Sequence, residues 1–363
     1  MQRVRFSVII VCLNAGEKLH KTVESIQRQS CTDYEILIKD GGSTDGSLTP
    51  YLKGAGSLFA PDGKPEEDSR PGSDGRPEEG GRPGSDGRAE EGGRPDPDER
   101  PEESGRPGSD GKPEEDSRPG SDGRTEAGQS GVWVVGDGKP ARPRLRVCMK
   151  KDRGIYDAMN QAVQLAEGEY FFFLNCGDYL YDDEVLRKVS EAMDREGRDV
   201  GTQGGGTSLS TVFYGNLFQR NLGTEVCSYR EITPFTCYRN VPCHQTCFYH
   251  RSLFEERAYD LQYPVRADYE HFLYCYFTRK AKMTWLPLTV CSYEGAGFSE
   301  TGEHLRAAKA EHREIVGKYL SRGQVLKYRL FLLLTLQPLR TFAANNRALS
   351  GIYNKVKAVV YRR

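Results

Sequence analysis

The stretch DRGIYDAMNQAVQLAEGEYFFFLNCGD, residues 152–178, decides the fold. Its first half repeats apolar residues at intervals of three and four, which predicts an amphipathic helix that opens at Gly154 and ends at Gly168. Tyr170–Leu174 follows as an unbroken aromatic and apolar run, which is typical of a parallel strand buried on both faces. Asp178 comes just after this strand, at the edge where open α/β sheets bind their ligands.

Two earlier strands also end in polar residues. Phe6–Leu13 is an apolar strand that ends at Asn14, and Glu35–Lys39 is a second strand that ends at Asp40. The loop after Asp40 reads GGSTDG, and its small residues allow a ligand to approach the backbone closely. A helix pattern follows each of these strands, and Leu145–Met149 is the predicted third strand of the sheet.

This alternation predicts an α/β fold with a mostly parallel central sheet and helices on both of its faces. The first, second and fourth strand ends then place Asn14, Asp40 and Asp178 at one crevice. Each of these residues taken singly has an alternative interpretation as a turn or cap residue. Their shared position at one edge favours a binding site.

A repeated segment interrupts this pattern. Residues 58–129 form twelve-residue units such as RPGSDGRPEEGG, which are too polar to bury a face and predict a disordered insert. The insert has 11 basic and 21 acidic residues, whereas the other 291 residues have 40 basic and 31 acidic ones. A solvated spacer is the plain interpretation, and an acidic arm that masks the basic body is the alternative. We expect a catalytic domain in residues 1–57 and 130–300.

The ten cysteines show no small-domain disulfide framework, and the amino-terminal residues lead straight into a strand without a signal peptide. We therefore expect reduced thiols in a cytoplasmic protein. Cys243, His244, Cys247 and His250 form the tightest group. A zinc site there is an alternative to ordinary buried thiols, although the spacing is closer than in the usual paired ligand sets.

The first strand is not followed by GxGxxG, so a dinucleotide site is unsupported. Without a glycine loop to cradle phosphates, a divalent cation is the other simple way to neutralise a diphosphate. Asp178 is the available oxygen ligand for that cation.

The motifs SVIIVCLN, DYEILIKDGGSTDGS and DRGIYDAMNQAVQLAEGEYFFFLNCGD together resemble the inverting family 2 glycosyltransferases with the GT-A fold, especially the bacterial subgroup that builds exopolysaccharide, capsule or O-antigen units. The resemblance extends from Phe6 to about Ser299, apart from the repeat. It implies a nucleoside-diphosphate sugar donor, most often a UDP-sugar, and a Mg or Mn ion. We expect no nucleic-acid partner.

The resemblance also implies roles on the donor side. Asp40 would contact the uracil or ribose, with Asn14 nearby, and Asp157 and Asn160 would border the donor pocket. Asp178 would bind the metal as the carboxylate of the DxD-like motif.

On the acceptor side, Val241–Tyr249 resembles the segment in which His244 and Gln245 face the acceptor. Asp268 matches the family's catalytic base, at the start of a helix. The chain departs from the common form at Gly177, where many members have the first acidic residue of the metal motif.

The chemistry requires such an arrangement. An inverting transfer needs one base to take the proton of the attacking hydroxyl, and positive charge to offset the departing diphosphate. The predicted function is sugar transfer to a saccharide or polyprenyl-linked acceptor in cell-surface polysaccharide synthesis. A sugar nucleotidyltransferase and a catalytically inactive nucleotide-binding scaffold are the two alternatives.

Residues 301–363 predict a helical, basic tail. Its apolar run, Val325–Leu336, is too short to span a bilayer. The basic residues around this run suit a helix that lies in an anionic membrane surface, on the inner face of the plasma membrane. A helix packed on the catalytic body is the alternative. The basic residues are Lys327, Arg329, Arg340, Arg347, Lys355, Lys357, Arg362 and Arg363.

Overall fold

The computed structural model describes residues 4–52, 56–57, 131–135, 143–201, 210–295 and 302–334. All of these residues belong to the larger of the two units into which the chain divides, residues 1–61 and 128–363. The predicted repeat insert, residues 58–129, lies outside the described residues.

The first half of the larger unit contains β1 (Phe6–Cys12), α1 (Glu17–Gln27), β2 (Tyr34–Asp40), α2 (Thr49–Leu52), β3 (Gly56–Ser57), β4 (Gly131–Val135), β5 (Arg144–Met149), α3 (Ile155–Val163), β6 (Tyr170–Phe173) and β7 (Tyr179–Leu180). The second half contains α4 (Val185–Gly201), β8 (Thr211–Gln219), β9 (Thr224–Val226), α5 (Pro234–Arg239), β10 (Cys247–His250), α6 (Ser252–Glu255), α7 (Ala267–Leu273), β11 (Lys282–Tyr293), α8 (Gly302–Tyr319) and α9 (Arg322–Leu334).

All these strands belong to one mixed sheet in the order β3-β4-β5-β2-β1-β6-β10-β8-β11-β7, with β9 paired to β8. Strands β5, β2, β1 and β6 are parallel, as the sequence predicts for the first half. Strand β10 enters the sheet antiparallel to both β6 and β8. The sheet is therefore parallel in the block β5-β2-β1-β6 and contains antiparallel pairs on both sides of that block. The antiparallel strands β3 and β4, which extend the sheet beyond β5, were not expected from the sequence.

The central strands are buried on both faces because successive side chains point to opposite sides of the sheet. Ile9 and Phe171 pack in one core cluster with Met159 of α3. Ile10 and Phe172 pack on the other side, in the cluster that contains the buried face of α1. Burial on both faces of the sheet thus explains the unbroken apolar runs of β1 and β6, as the sequence predicts.

Helix α3 is shorter than its apolar pattern predicts, because it ends at Val163 rather than near Gly168. Gly168 has a different role, which is the close approach of two segments. A Cβ atom at this position would lie 2.5 Å from the backbone nitrogen of Ser7 on β1. The glycine therefore lets the chain enter β6 directly beside β1.

A buried ion pair ties the second and fifth strands to the chain before β6. Glu35 is 1% exposed, and its carboxylate accepts hydrogen bonds from Ser7 Oγ at 2.6 Å, the Glu167 nitrogen at 2.7 Å and Arg146 Nη2 at 2.6 Å. Two residues earlier on β5, Arg144 pairs with Glu167 at the surface, where both side chains are about half exposed.

Because one arginine is in a buried ion pair and the other in an exposed one, we expect their substitution to lower stability by different amounts. Arg146→Met leaves Glu35 buried without its counter-ion, so we expect the free energy of unfolding to fall by about 3 kcal/mol or more. Arg144→Met is the matched control and should cost less than about 1 kcal/mol, because its ion pair is exposed. Urea titration followed by fluorescence measures both values. Equal losses in the free energy of unfolding would show that the buried ion pair does not stabilise the sheet more than the exposed pair does.

Candidate active site

One short turn connects the two aspartates that the sequence singles out. Residues His244–Thr246 form a single 3-10 turn just before β10. Gln245 Nε2 donates a hydrogen bond to Asp178 Oδ2 at 3.1 Å, and His244 Nδ1 lies 3.2 Å from Asp268 Oδ2. The structure therefore brings Asp178, Asp268, His244 and Gln245 together.

Asp178 lies in the tight turn between β6 and β7 and is 4% exposed. Its Oδ1 accepts a hydrogen bond from the backbone nitrogen of Glu294 at 3.1 Å. Burial raises the pKa of Asp178, although the hydrogen bonds from Glu294 and Gln245 act in the opposite direction. Gly177 adopts φ 97° in this turn, a backbone conformation that favours glycine.

Asp268 lies in the first turn of α7, with its side chain 25% exposed. Tyr156 Oη donates a hydrogen bond to its Oδ1 at 2.8 Å, while His244 contacts Oδ2. Burial opposes the charged form of Asp268, but the hydrogen bonds from His244 and Tyr156 hold its pKa below the ordinary value. Asp268 is therefore a carboxylate near neutral pH, which a general base must be.

The imidazole of His244 is oriented from its other side. Asn175, at the end of β6, places its Nδ2 3.2 Å from His244 Nε2. An amide nitrogen can only donate, so Nε2 accepts and the proton of a neutral His244 resides on Nδ1, directed at Asp268. The segment after β6 thus contains Asp178 and, through Asn175, orients the histidine that contacts Asp268.

Asp40 and Asn14 hold two loops together at the ends of β1 and β2. Asp40 is fully buried, and its oxygens accept hydrogen bonds from the backbone nitrogens of Gly42 and Ser43 at 2.8 and 2.9 Å, as well as from the Ser43 hydroxyl. Asn14 Oδ1 accepts from the Thr44 nitrogen at 2.9 Å. Both side chains therefore shape the strand-end loop, and a direct nucleotide contact by Asp40 would have to replace one of these bonds.

Asp157 and Asn160 are placed differently on α3. Asp157 holds the segment that leads into its own helix, because its Oδ2 accepts from the backbone nitrogen of Arg153 at 2.9 Å. Asn160 bonds the backbone nitrogen and oxygen of Tyr259 through both atoms of its amide, each at 2.9 Å. Asn160 thus joins α3 to the segment before α7, and in this structure its polar atoms do not face the two aspartates.

Glu294 and Lys18 lie at the same place as Asp178 but were not expected from the sequence. Lys18 Nζ is 2.7 Å from Glu294 Oε2. A Cβ atom built on Gly177 would lie 3.0 Å from the same carboxylate oxygen. Glu294, 117 residues further along the chain, therefore puts a carboxylate close to the position of the acidic side chain that Gly177 lacks.

Tyr156 is another contact that sequence reasoning missed. The residue is 7% exposed and belongs to the apolar face of α3, so its hydroxyl gave no separate signal. The pattern that could have indicated it is a buried tyrosine, since a buried phenol needs a hydrogen-bond partner.

The group Cys243, His244, Cys247 and His250 makes separate contacts. His250 Nδ1 lies 2.8 Å from the Ser252 hydroxyl, and Cys247 Sγ donates to the Cys243 carbonyl. In the part of the chain that the structure describes, His, Cys, Asp and Glu side chains do not assemble into metal-binding groups of three or more.

The donor set around Asp178 fits a hard divalent cation that also has a phosphate ligand. Asp178, on the turn between β6 and β7, and Glu294, just after β11, offer carboxylate oxygens, which are the ligands that Mg²⁺ and Mn²⁺ prefer. Magnesium sites in nucleotide-dependent enzymes commonly use one or two carboxylates and complete their coordination with substrate phosphates and water.

The fold is also found in a solved glycosyltransferase. The mannosyltransferase PcManGT from Pyrobaculum calidifontis, solved in complex with GDP-Man and Mn²⁺, aligns over 100% of this chain and 82% of its own, with a TM-score of 0.50 and 11% sequence identity. The protein thus has a GT-A type fold.

Sequence comparison identifies the family. The model of glycosyl transferase family 2 matches residues 7–55 and 137–257, which lie on the two sides of the repeat. PGL/p-HBAD biosynthesis glycosyltransferases of Mycobacterium tuberculosis and Mycobacterium bovis are 25% identical over 298 residues, covering 82% of this chain and 79% of theirs. The chain belongs to glycosyl transferase family 2, as its motifs predict.

Asp268→Asn tests the assignment of the base. The substitution keeps the shape of the side chain but removes its ability to take a proton, so we expect turnover to fall by about two to four orders of magnitude. The affinity for the donor nucleotide, measured by isothermal titration, should be nearly unchanged. Retained turnover would place the base elsewhere.

His244→Asn tests the contact that lowers the pKa of Asp268. A base acts when deprotonated, so activity is lost as the pH falls through its pKa. Without His244 that pKa rises, and the acidic limb of the pH profile of kcat/KM should move to higher pH. His250→Asn, on β10, is the control that should leave the limb in place. An unmoved limb in the His244 variant would contradict the proposed pairing.

Proposed function

We propose that the protein transfers a sugar, with inversion, from a nucleoside-diphosphate donor to a hydroxyl of a saccharide or lipid-linked saccharide. UDP is the proposed nucleotide, and cell-surface polysaccharide synthesis is the proposed role. The observation that supports this most is the turn His244–Thr246, which contacts a buried aspartate on the strand edge and an aspartate on α7.

The proposed chemistry follows from the two environments. Asp268 accepts the proton of the acceptor hydroxyl as that oxygen attacks the anomeric carbon from the face opposite the diphosphate. His244 and Tyr156 keep Asp268 ionised and oriented. On the leaving-group side, a Mg²⁺ or Mn²⁺ ion held by Asp178 and Glu294 would neutralise the charge that develops on the diphosphate.

Lys18 adds a positive charge to the leaving-group side. Its ammonium is paired with Glu294, and the two side chains are each about half exposed. If Glu294 turns to a cation, Lys18 loses this partner and is free to contact a phosphate oxygen. The guanidinium of Arg220 stays with the turn itself, because Nη2 donates to the Gly177 carbonyl at 2.5 Å.

A peripheral position on an anionic membrane surface is also part of the proposal. Helices in the described ranges are all too short or too polar to cross a membrane. Helix α9 packs Tyr328 and Phe331 against Phe235 of α5, while Leu330 and Leu334 are at least half exposed. Part of α9 therefore packs on the catalytic body, and binding of its exposed side chains to a membrane surface stays a proposal. The basic residues after 334 lie outside the described residues.

The function test combines a binding and a turnover measurement. We expect isothermal titration to show UDP binding that tightens when Mn²⁺ or Mg²⁺ is present, and a panel of UDP- and GDP-sugars to show hydrolysis of one donor. Turnover only with free nucleoside triphosphate would indicate a nucleotidyltransferase. Binding without any turnover would indicate a non-catalytic scaffold.

The same titration, with Mn²⁺ as titrant in the presence of UDP, tests the metal ligands. Asp178→Asn and Glu294→Gln should each weaken Mn²⁺ binding by about tenfold or more, because each removes a carboxylate oxygen. Glu191→Gln, at an exposed position on α4, is the charge-matched control. Unchanged Mn²⁺ affinity in Glu294→Gln would leave Asp178 as the protein's sole proposed carboxylate ligand.

A further inference from the structure

A cationic cavity lies where α5, the start of α7 and α8 meet. Its volume is about 560 Å³. Four of its lining residues are lysine or arginine, and among the described lining residues none carries a carboxylate. Such a concentration of positive charge favours an anionic ligand. The lining consists of Arg239, Arg266, Leu305, Ala308, Lys309, His312 and Arg313.

Some of these positively charged side chains have no partner among the described residues. The side chains of Arg239 and Lys309 are exposed and have neither a hydrogen bond nor an ion pair within the part of the chain that the structure describes. Arg266 is held in place, because its Nη1 lies 3.3 Å from His312 Nδ1 and its guanidinium is 5.2 Å from the ring centre of Tyr269. Its buried Nε has no hydrogen-bond partner among the described residues.

His312 acts as a fixed acceptor for Arg266. Its Nε2 lies 3.1 Å from the Tyr238 carbonyl, which can only accept, so Nε2 carries the proton and Nδ1 faces Arg266 as an acceptor. Burial and the charge of Arg266 lower the pKa of His312 to about 4. The guanidinium is therefore oriented by a neutral ring, which does not offset its positive charge.

An apolar groove adjoins this cavity along α5. The groove has a volume of about 640 Å³. Phe235 lines the groove and Arg239 lines the cavity. Because these residues are four apart on one helix, they lie on the same face, about 6 Å apart along the axis. A cationic cavity is thus continued by an apolar channel. The groove is lined by Phe235, Gly323, Leu326, Lys327, Tyr328, Leu330, Phe331 and Leu334.

The cavity is also close to the proposed base. Arg266 precedes Asp268 by two residues, so their Cα atoms are at most about 7 Å apart. The cavity therefore lies beside the segment of chain that carries the proposed base.

We infer that the cavity formed by Arg239, Arg266, Lys309 and Arg313 binds the phosphate of a lipid-borne acceptor, and that the lipid chain lies along the groove beside α9. Charge complementarity specifies the phosphate, and the adjoining apolar wall specifies a lipid ester rather than free phosphate. The inference rests on the proposed function, because its ligand is the acceptor of that reaction.

Vesicle flotation of the full chain tests this inference. Phosphatidylcholine vesicles carry either polyprenyl phosphate or phosphatidylserine at matched surface charge. We expect wild-type protein to bind the polyprenyl phosphate vesicles more tightly. Arg239→Gln combined with Lys309→Gln should weaken that binding by about tenfold or more, since two charged donors are lost. Arg195→Gln with Arg322→Gln removes the same charge outside the cavity and should retain the affinity.

Three results would overturn the inference. The first is equal binding to both kinds of vesicle, which means attraction to surface charge alone. The second is undiminished binding by the Arg239 and Lys309 double variant. The third is displacement by inorganic phosphate at the concentration of the lipid phosphate, which means a site for free phosphate.

UDP titration of the same samples separates this failure from a failure of the proposed function. Normal UDP binding without recognition of the lipid phosphate would remove the cavity's role and leave the transferase proposal in place. Recognition of the lipid phosphate without any UDP binding would remove the transferase proposal.

Discussion

The turn His244–Thr246 is the contact on which the candidate site depends. Two adjacent residues reach in two directions, His244 to Asp268 and Gln245 to Asp178. The turn is fixed because it leads directly into β10, which is hydrogen-bonded between β6 and β8. The relative position of the two carboxylates is therefore set by the sheet rather than by a free loop, as pre-organised catalysis requires.

The helix that carries Asp268 is held from the other side by α8. Glu311 accepts hydrogen bonds from the backbone nitrogens of Val265 and Arg266 at 3.2 and 2.8 Å, just before α7 begins. Glu270, fully buried on α7, accepts from Lys318 Nζ at 2.7 Å and Tyr319 Oη at 2.5 Å. Helix α8, which the sequence groups with a basic tail, thus supports the geometry of the proposed base.

The first half of the fold could be predicted because its signal is local. Continuous apolar strands and spaced apolar helix positions appear in short windows, and each strand end marks the site directly. The antiparallel β10 could not be predicted in the same way, since its partners are distant in sequence. The proximity of Glu294 to Gly177 is likewise a contact across 117 residues. The role of Tyr156 was not predicted, because its ring packs in the core like any apolar residue while only its hydroxyl contacts Asp268.

The central claim is that one base and one charge-stabilised leaving group lie on opposite sides of the sugar. Proton NMR of the donor hydrolysis reaction, recorded before mutarotation, measures the anomeric configuration of the first product. Water takes the place of the acceptor, so the experiment does not require its identity. The account predicts a configuration opposite to that of the sugar in the donor. A first product with the donor's own configuration would contradict a single inverting attack assisted by Asp268.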